Sequence, residues 1–195
     1  MIYYELKKLS ENKKNLLENF LSLSVLQAIN MFLPLITLPY LVRVLGIENF
    51  GLVNFSLSII GYFNILVSFG FELSATKLIS INRDNKEKIS EIFSSVSIIK
   101  MILFLCSFFI LSILILFVNN LNENMWLYYV TFGIVFGNIL FPTWFFQGVE
   151  KMKYITIITF LTRFIFTVLI FILVKSEDDY IIVPLLNSLG VILAG

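Results

Sequence analysis

Residues 101–118, MILFLCSFFILSILILFV, are 18 consecutive residues without a charge or a proline. A run of that length and polarity is the signature of a helix that crosses a bilayer, because in hydrocarbon every backbone N–H and C=O must be satisfied within the segment itself. Working outward from this run, hydrophobic windows place helices near Phe20 to Val42, Phe50 to Phe71, Ile89 to Val118, Met125 to Gln147, Tyr154 to Val174 and from Tyr180 onward. The segments between them carry the turn and charge signals: Arg43 to Asn49, Asn82 to Lys88, Asn119 to Asn124 and Lys175 to Asp179. They are short, so consecutive helices should be antiparallel neighbours.

The composition agrees. Apolar residues make up 58% of the 195-residue chain and charged residues 14%, against about 25% charge in soluble domains. The fold class implied is all-α, a polytopic membrane bundle of about six transmembrane helices. The lysines and arginines are scattered between apolar runs and matched by acids, with a net charge of +1, so no nucleic-acid partner is implied. The chain has no histidine and a single cysteine, Cys106, inside the apolar run. That leaves no zinc site, disulfide or histidine-based triad to expect, and no metal or other cofactor. Cys106 reads as a lipid-facing or packing residue.

Orientation follows from the positive charges, which are retained on the cytoplasmic side when they flank membrane helices. The N-terminal segment, the second connection and the fourth connection together hold ten lysines and arginines, whereas the opposite side holds only Arg43 and Lys175. The expectation is a multi-pass membrane protein with its N-terminus in the cytoplasm. Lysines 7, 8, 13 and 14 precede a run too long for a signal peptide and lacking a cleavage site, so it reads as a retained first span. The final window, Tyr180 to Gly195, is sixteen residues, about 24 Å of helix against a core of about 30 Å. Residues 1–195 are therefore expected to be an incomplete chain that ends within its sixth helix.

Polar residues recur at helical spacing inside three apolar windows: Ser24, Gln27, Asn30 and Thr37 in the first; Asn54, Ser58, Asn64 and Ser68 in the second; Thr156, Thr159, Arg163 and Thr167 in the fifth. Such seams either pack helices together through small side chains and hydrogen bonds or line a water-accessible cavity. Arg163 is the sharpest of these residues, standing about 13 to 17 Å from either end of its span. An arginine at that depth costs at least about 2.5 to 3.5 kcal/mol unless it meets water, a partner or a ligand. Its guanidinium fork suits a diphosphate or another oxyanion; the structural alternative is a buried pair with Glu72 or another acid. Arg43, just before Gly46, is placed either to meet an anionic group at the outer mouth of a cavity or to anchor the interface. Lys100 reads as structural and close to the cytoplasmic interface. Pro34 and Pro39 in the first helix and Pro142 in the fourth should introduce kinks, and the Gly133/Gly137 pair should allow close helix packing.

Three stretches, LPLITLPYLVRVLGIENFGLVNF (33–55), FGFELSATKLISINRDNKEKISEIFSS (69–95) and FPTWFFQGVEKMKYIT (141–156), resemble the polysaccharide-biosynthesis flippases of the multidrug/oligosaccharidyl-lipid/polysaccharide exporter superfamily, the O-antigen and teichoic-acid type transporters. The resemblance implies that residues 1–195 form one N-terminal transmembrane lobe of a transporter of the bacterial cell (inner) membrane, with 12 to 14 helices in two pseudo-symmetric lobes. Its substrate would be an undecaprenyl-diphosphate-linked oligosaccharide, moved from the cytoplasmic to the outer leaflet by alternating access, without enzymatic chemistry. Arg43 and Arg163 would attract the diphosphate, and Gln27, Asn30, Asn54, Asn64 and Thr159 would offer hydrogen bonds to sugars. The substrate and membrane lipids are then the partners, with room for other polysaccharide-assembly membrane proteins. Two other readings remain open: a multidrug or metabolite exporter of the same superfamily, which usually couples transport through an acid in mid-span, and a scaffold subunit whose seams are buried against partner helices.

Overall fold

The computed structural model describes the backbone of residues 2–195 and the side chains of residues 17–195. The described residues are helical with no strand. The elements are α1 (Ile2–Ser68), α2 (Phe71–Ile81), α3 (Lys86–Phe117), α4 (Asn119–Asn122), α5 (Met125–Leu140), α6 (Thr143–Gly148), α7 (Met152–Leu173), a 3-10 turn (Glu177–Ile181) and α8 (Ile182–Ala194). Four helical stretches among the described residues are long and apolar enough to cross a membrane: Leu17–Ile81, Lys86–Phe117, Met125–Gly148 and Met152–Leu173. The first is 65 residues long, about 97 Å at 1.5 Å per residue, far more than one crossing needs. α8, at 13 residues, falls short of a crossing by itself.

The excess length of α1 is resolved at Gly46, whose φ of 73° and ψ of 168° are the one non-helical pair within the element. This region of dihedral space is open essentially to glycine alone. The two limbs that meet there run in opposite directions, as their partners demonstrate. In the first limb the Ser22 carbonyl accepts from the Thr156 hydroxyl at 2.9 Å and the Tyr40 hydroxyl donates to the Val174 carbonyl at 2.7 Å. Both pairs are 134 residues apart, so this limb and α7 run parallel in fixed register. In the second limb Ser56 meets Thr131 at 3.2 Å and Asn64 accepts from Asn138 at 2.9 Å, so it runs parallel to α5. α8 also follows α5, with the Ser188 hydroxyl donating to the Val130 carbonyl at 2.6 Å. α3 opposes α5, because Phe104 packs on Phe136 and Phe108, further along α3, packs on Tyr129, further back along α5. Six rods thus alternate in direction: two limbs of α1, then α3, α5, α7 and α8.

Prolines do not break the first limb. Helical dihedrals continue through Pro34 and Pro39, and between them Thr37 donates its hydroxyl to the carbonyls of Leu33 and Pro34. Pro142 does separate α5 from α6, and Phe69–Gly70, with φ of 39° and 73°, separates the second limb from α2. The glycine pair acts as expected: a Cβ on Gly133 would lie 3.0 Å from that of Ser188, and one on Gly137 would lie 2.8 Å from backbone atoms of Val191 and Ile192. α5 and α8 can approach this closely only without side chains there.

Three separate apolar clusters hold the rods. At the Gly46 end Leu41, Leu45, Val53, Leu127, Ile170 and Val183 join both limbs to α5, α7 and α8. Ile60, Phe63, Leu111, Tyr128 and Phe132 join the second limb, α3 and α5. Ala75, Ile79, Val96 and Trp144 join α2, α3 and α6. Outside these clusters the surface is apolar, with Phe109 at 66% and Phe117 at 83% exposure on α3. Lipid, not protein, is the natural partner of such a face. Cys106 is exposed on the same helix.

Candidate functional site

The fixed register between the first limb and α7 places Arg163 level with Ile29 and Asn30. Arg163 is exposed and forms no ion pair with the described residues; the pairing with Glu72 considered from sequence does not occur. Glu72 stands exposed at the start of α2, on a different part of the bundle. Beside Arg163, Asn30 has a buried Oδ1 without a hydrogen-bond partner. Gln27 is exposed one turn below, and Thr159 is half-buried one turn from Arg163 with its carbonyl accepting from the Thr162 hydroxyl at 3.2 Å. Gln27, Asn30, Thr159 and Arg163 therefore share one band of about two turns on two adjacent rods. None of residues 17–39 is buried, so this band is open on the side away from α7.

Arg43 and Asn54 lie elsewhere. Both are exposed and within a few turns of Gly46, and Asn54 donates to the Phe50 carbonyl of its own helix at 2.8 Å. Arg43 is fourteen residues beyond the level of Arg163 on the parallel rods, about 21 Å along the axis. Two guanidinium groups at that separation cannot hold one diphosphate together; they stand at different depths.

Asn64 belongs to neither group. Its side chain is engaged by Asn138 between the second limb and α5, an interior pairing that closes the second limb's inner face. Ser56 and Thr131, both fully buried, do the same nearer to Gly46. Asn138, Ser56, Thr131 and Ser188 were not singled out from the sequence. Each is a small polar residue inside an apolar window, and such residues are the usual makers of interhelical hydrogen bonds. Lys100 also departs from expectation: it is only 5% exposed, and the opposing register of α3 and α5 sets it level with Asn138.

At the other end of the bundle the second and fourth connections meet, where Arg83 pairs with Glu150 at 2.8 Å. Two of the lysine-rich segments are thus brought to one end, as the charge count requires. At the Gly46 end the Asp179 carboxylate accepts from the backbone N–H of Lys175 and of Ser176, at 2.9 and 2.8 Å, and from the Ser176 hydroxyl. These donors hold its pKa below the usual carboxylate value.

The family described as polysaccharide biosynthesis protein matches residues 16–195, which takes in every rod of the bundle. The chain belongs to that family. It is 36% identical over 187 residues, 96% of its length, to a protein of Escherichia coli (strain K12) named "Putative O-antigen transporter", and 29% identical over 178 residues, 91% of its length, to a protein of the same name from Shigella dysenteriae. The chain spans 45% and 44% of those two relatives, somewhat under half. No solved structure matches. Membership places the three stretches quoted above in the family to which they were compared, and the all-helical membrane bundle is the architecture in which they stand.

Proposed function

We propose that this family member forms one lobe of a transporter that carries an undecaprenyl-diphosphate-linked oligosaccharide from the cytoplasmic to the outer leaflet, by alternating access, with its N-terminus in the cytoplasm of a bacterium. The observation that carries the reading is Arg163, a mid-span cation with no acid partner among the described residues, beside the unpartnered Asn30. A guanidinium in that position is stabilised by a diphosphate and lowers the cost of moving one through hydrocarbon. Arg43 then receives the same group about 21 Å further along, while Gln27 and Asn54 face sugars and the polyprenyl tail stays in lipid. No covalent step is required. The names of the two relatives support an O-antigen-type cargo.

The exporter reading is weakened by the position of Glu72, exposed on α2 beyond the break at Gly70 rather than in the band around Arg163. The test is depletion of the full-length parent in its host, followed by assay of lipid-linked oligosaccharide in the cytoplasmic leaflet. Accumulation reversed by wild type but not by Arg163→Ala, at equal expression, supports the reading. Rescue by both would return Arg163 to a structural role, and no accumulation on depletion would discard flipping altogether.

A further inference from the structure

The second limb and α5 are broken at one level. Their register, Ser56 with Thr131 and Asn64 with Asn138, extrapolates Phe69–Gly70 to residues 143–144, within about two residues of the break at Phe141–Pro142, or roughly 3 Å. Beyond the breaks, α2 and α6 are clasped to each other. The Thr76 hydroxyl donates to the Trp144 carbonyl at 3.1 Å, a Cβ on Gly148 would lie 2.6 Å from that of Ile79, and Arg83 pairs with Glu150 just past both helices.

The packing is divided at the same place. The cluster of Ala75, Ile79, Val96 and Trp144 shares no residue with the one built on Ile60, Phe63, Leu111 and Phe132. Only α3 runs through both, and where it crosses the boundary it carries Lys100, level with the Asn64–Asn138 pair. Lys100 is on the buried face of α3, between Val96 and Ser107, yet makes no hydrogen bond or ion pair with the described residues. Side chains on a helix lean toward its N-terminus, which for α3 is the side of α2 and Glu72. Apolar side chains would weld the two clusters into one; the amine has no hydrogen-bond partner among the described residues at the boundary, and the two amides are engaged with each other rather than across it.

We propose that α2 and α6, packed on Val96 and Phe93 of α3, move as one clasped pair about a hinge line through Phe69–Gly70 and Phe141–Pro142, with Lys100 holding open the seam between this pair and the second limb and α5. Gly70 supplies dihedral freedom, and the missing N–H of Pro142 removes a helix bond at the second hinge. Phe69, at a φ of 39°, is strained in its present conformation and gains by rotation. The pair stands at the lysine-rich end, so its swing widens or narrows that mouth of the lobe. The inference rests on hinge and packing geometry, and the identity of the cargo does not enter it.

Spin-label distances in lipid nanodiscs test it, on a Cys106→Ser background with labels at exposed positions. Labels at Ser80 and at Lys151, next to Glu150 of the Arg83–Glu150 pair, report on the closed end of the clasp, and labels at Ser80 and Leu116 report across the seam. A narrow distribution for the first and a broad or two-peaked one for the second is expected. Lys100→Met, of similar length but apolar, should join the clusters and narrow the second without altering the first. Equal narrowness of both in the wild-type protein would overturn the hinge, a broad Ser80–Lys151 distribution would overturn the clasp, and indifference to Lys100→Met would remove Lys100 from the proposal. Each of these outcomes leaves the transport assay on Arg163 untouched.

Discussion

Replacing Gly137 by alanine tests the α5–α8 interface at its tightest point. The added Cβ would lie 2.8 Å from the Ile192 nitrogen and the Val191 carbonyl carbon, at least about 0.6 Å inside ordinary contact. Both obstacles are backbone atoms, so no rotamer change relieves them and α8 must retreat. Retreat strains the 2.6 Å bond from Ser188 to the Val130 carbonyl and the bond from Tyr180 to Asn124. Overpacking of this kind costs about 1 to 3 kcal/mol. Alanine's better helix propensity returns up to about 1 kcal/mol, and the loosened interface offsets that return, so the expected net loss is about 2 kcal/mol. Gly51→Ala is the matched control: nothing lies within 4 Å of its Cβ position, and the change should be neutral or stabilising by up to about 1 kcal/mol. Reversible unfolding in mixed micelles, followed through the buried Trp144, reads both. If the two variants unfold at the same denaturant fraction, or Gly51→Ala is the weaker, the close α5–α8 approach described above is wrong.

Gly46→Ala and Gly46→Asn should each lower stability by about 1 to 3 kcal/mol in the same assay, since a φ of 73° with a ψ of 168° excludes even residues that tolerate left-handed helix. Asp179, with its pKa depressed by the N–H groups of Lys175 and Ser176 and then by the Ser176 hydroxyl, stabilises its turn above the unfolded carboxylate pKa of about 3.9. That contribution is lost as pH falls through the lower folded value; the Ser176 amide resonance should follow this titration by NMR and lose it in Asp179→Asn. A cysteine at Asn54 should react with a water-soluble maleimide in oriented vesicles, whereas one at Asn64 should be protected. Reaction of both at the same rate would contradict the Asn64–Asn138 pairing, and protection of both would favour the scaffold reading.

Much of this architecture is written in the sequence because hydrophobic length is a one-dimensional signal. The apolar windows locate all six rods, and the short charged connections predict their alternation. The Gly133/Gly137 pair predicts a close crossing that Val191 and Ile192 complete. What periodicity could not supply was the partner of each polar face. Asn54 and Asn64 share a seam on paper, yet ten residues turn a helix by about 1000°, and 80° of net rotation suffices to aim Asn64 at α5 while Asn54 stays outside. Proline was also misleading in one direction. Pro34 and Pro39 are accommodated in a continuous helix, while the break falls at Gly46, where a dihedral pair rather than a missing donor is what the chain requires. The depth of Lys100 was hidden because α3, at 32 residues, is long enough for a lysine to be either interfacial or interior, and only the register with α5 decides between them.

The distribution of cohesion along the bundle has a mechanical consequence for any cargo that passes Arg163 and then Arg43. Near Gly46 one cluster unites both limbs with α5, α7 and α8, and the 3-10 turn is tied down by the bond from Asn49 to the Glu177 carbonyl. That end is a single packed body, so Arg43 is presented on a stiff rim. In the opposite half residues 17–40 of the first limb include no buried residue and the limb leans on α7, while α2 and α6 stand past two aligned breaks. An anion held at Arg163 therefore has a deformable mouth on the lysine-rich side and a fixed station about 21 Å away on the other. On the transport and hinge proposals above, adjustment to a bulky glycan falls to the lysine-rich side, because packed interiors resist deformation while jointed helices do not. If the parent transporter carries such a glycan as proposed, the size range accepted in the lipid-linked oligosaccharide assay should narrow more with changes at Gly70 and Pro142 than with changes around Arg43.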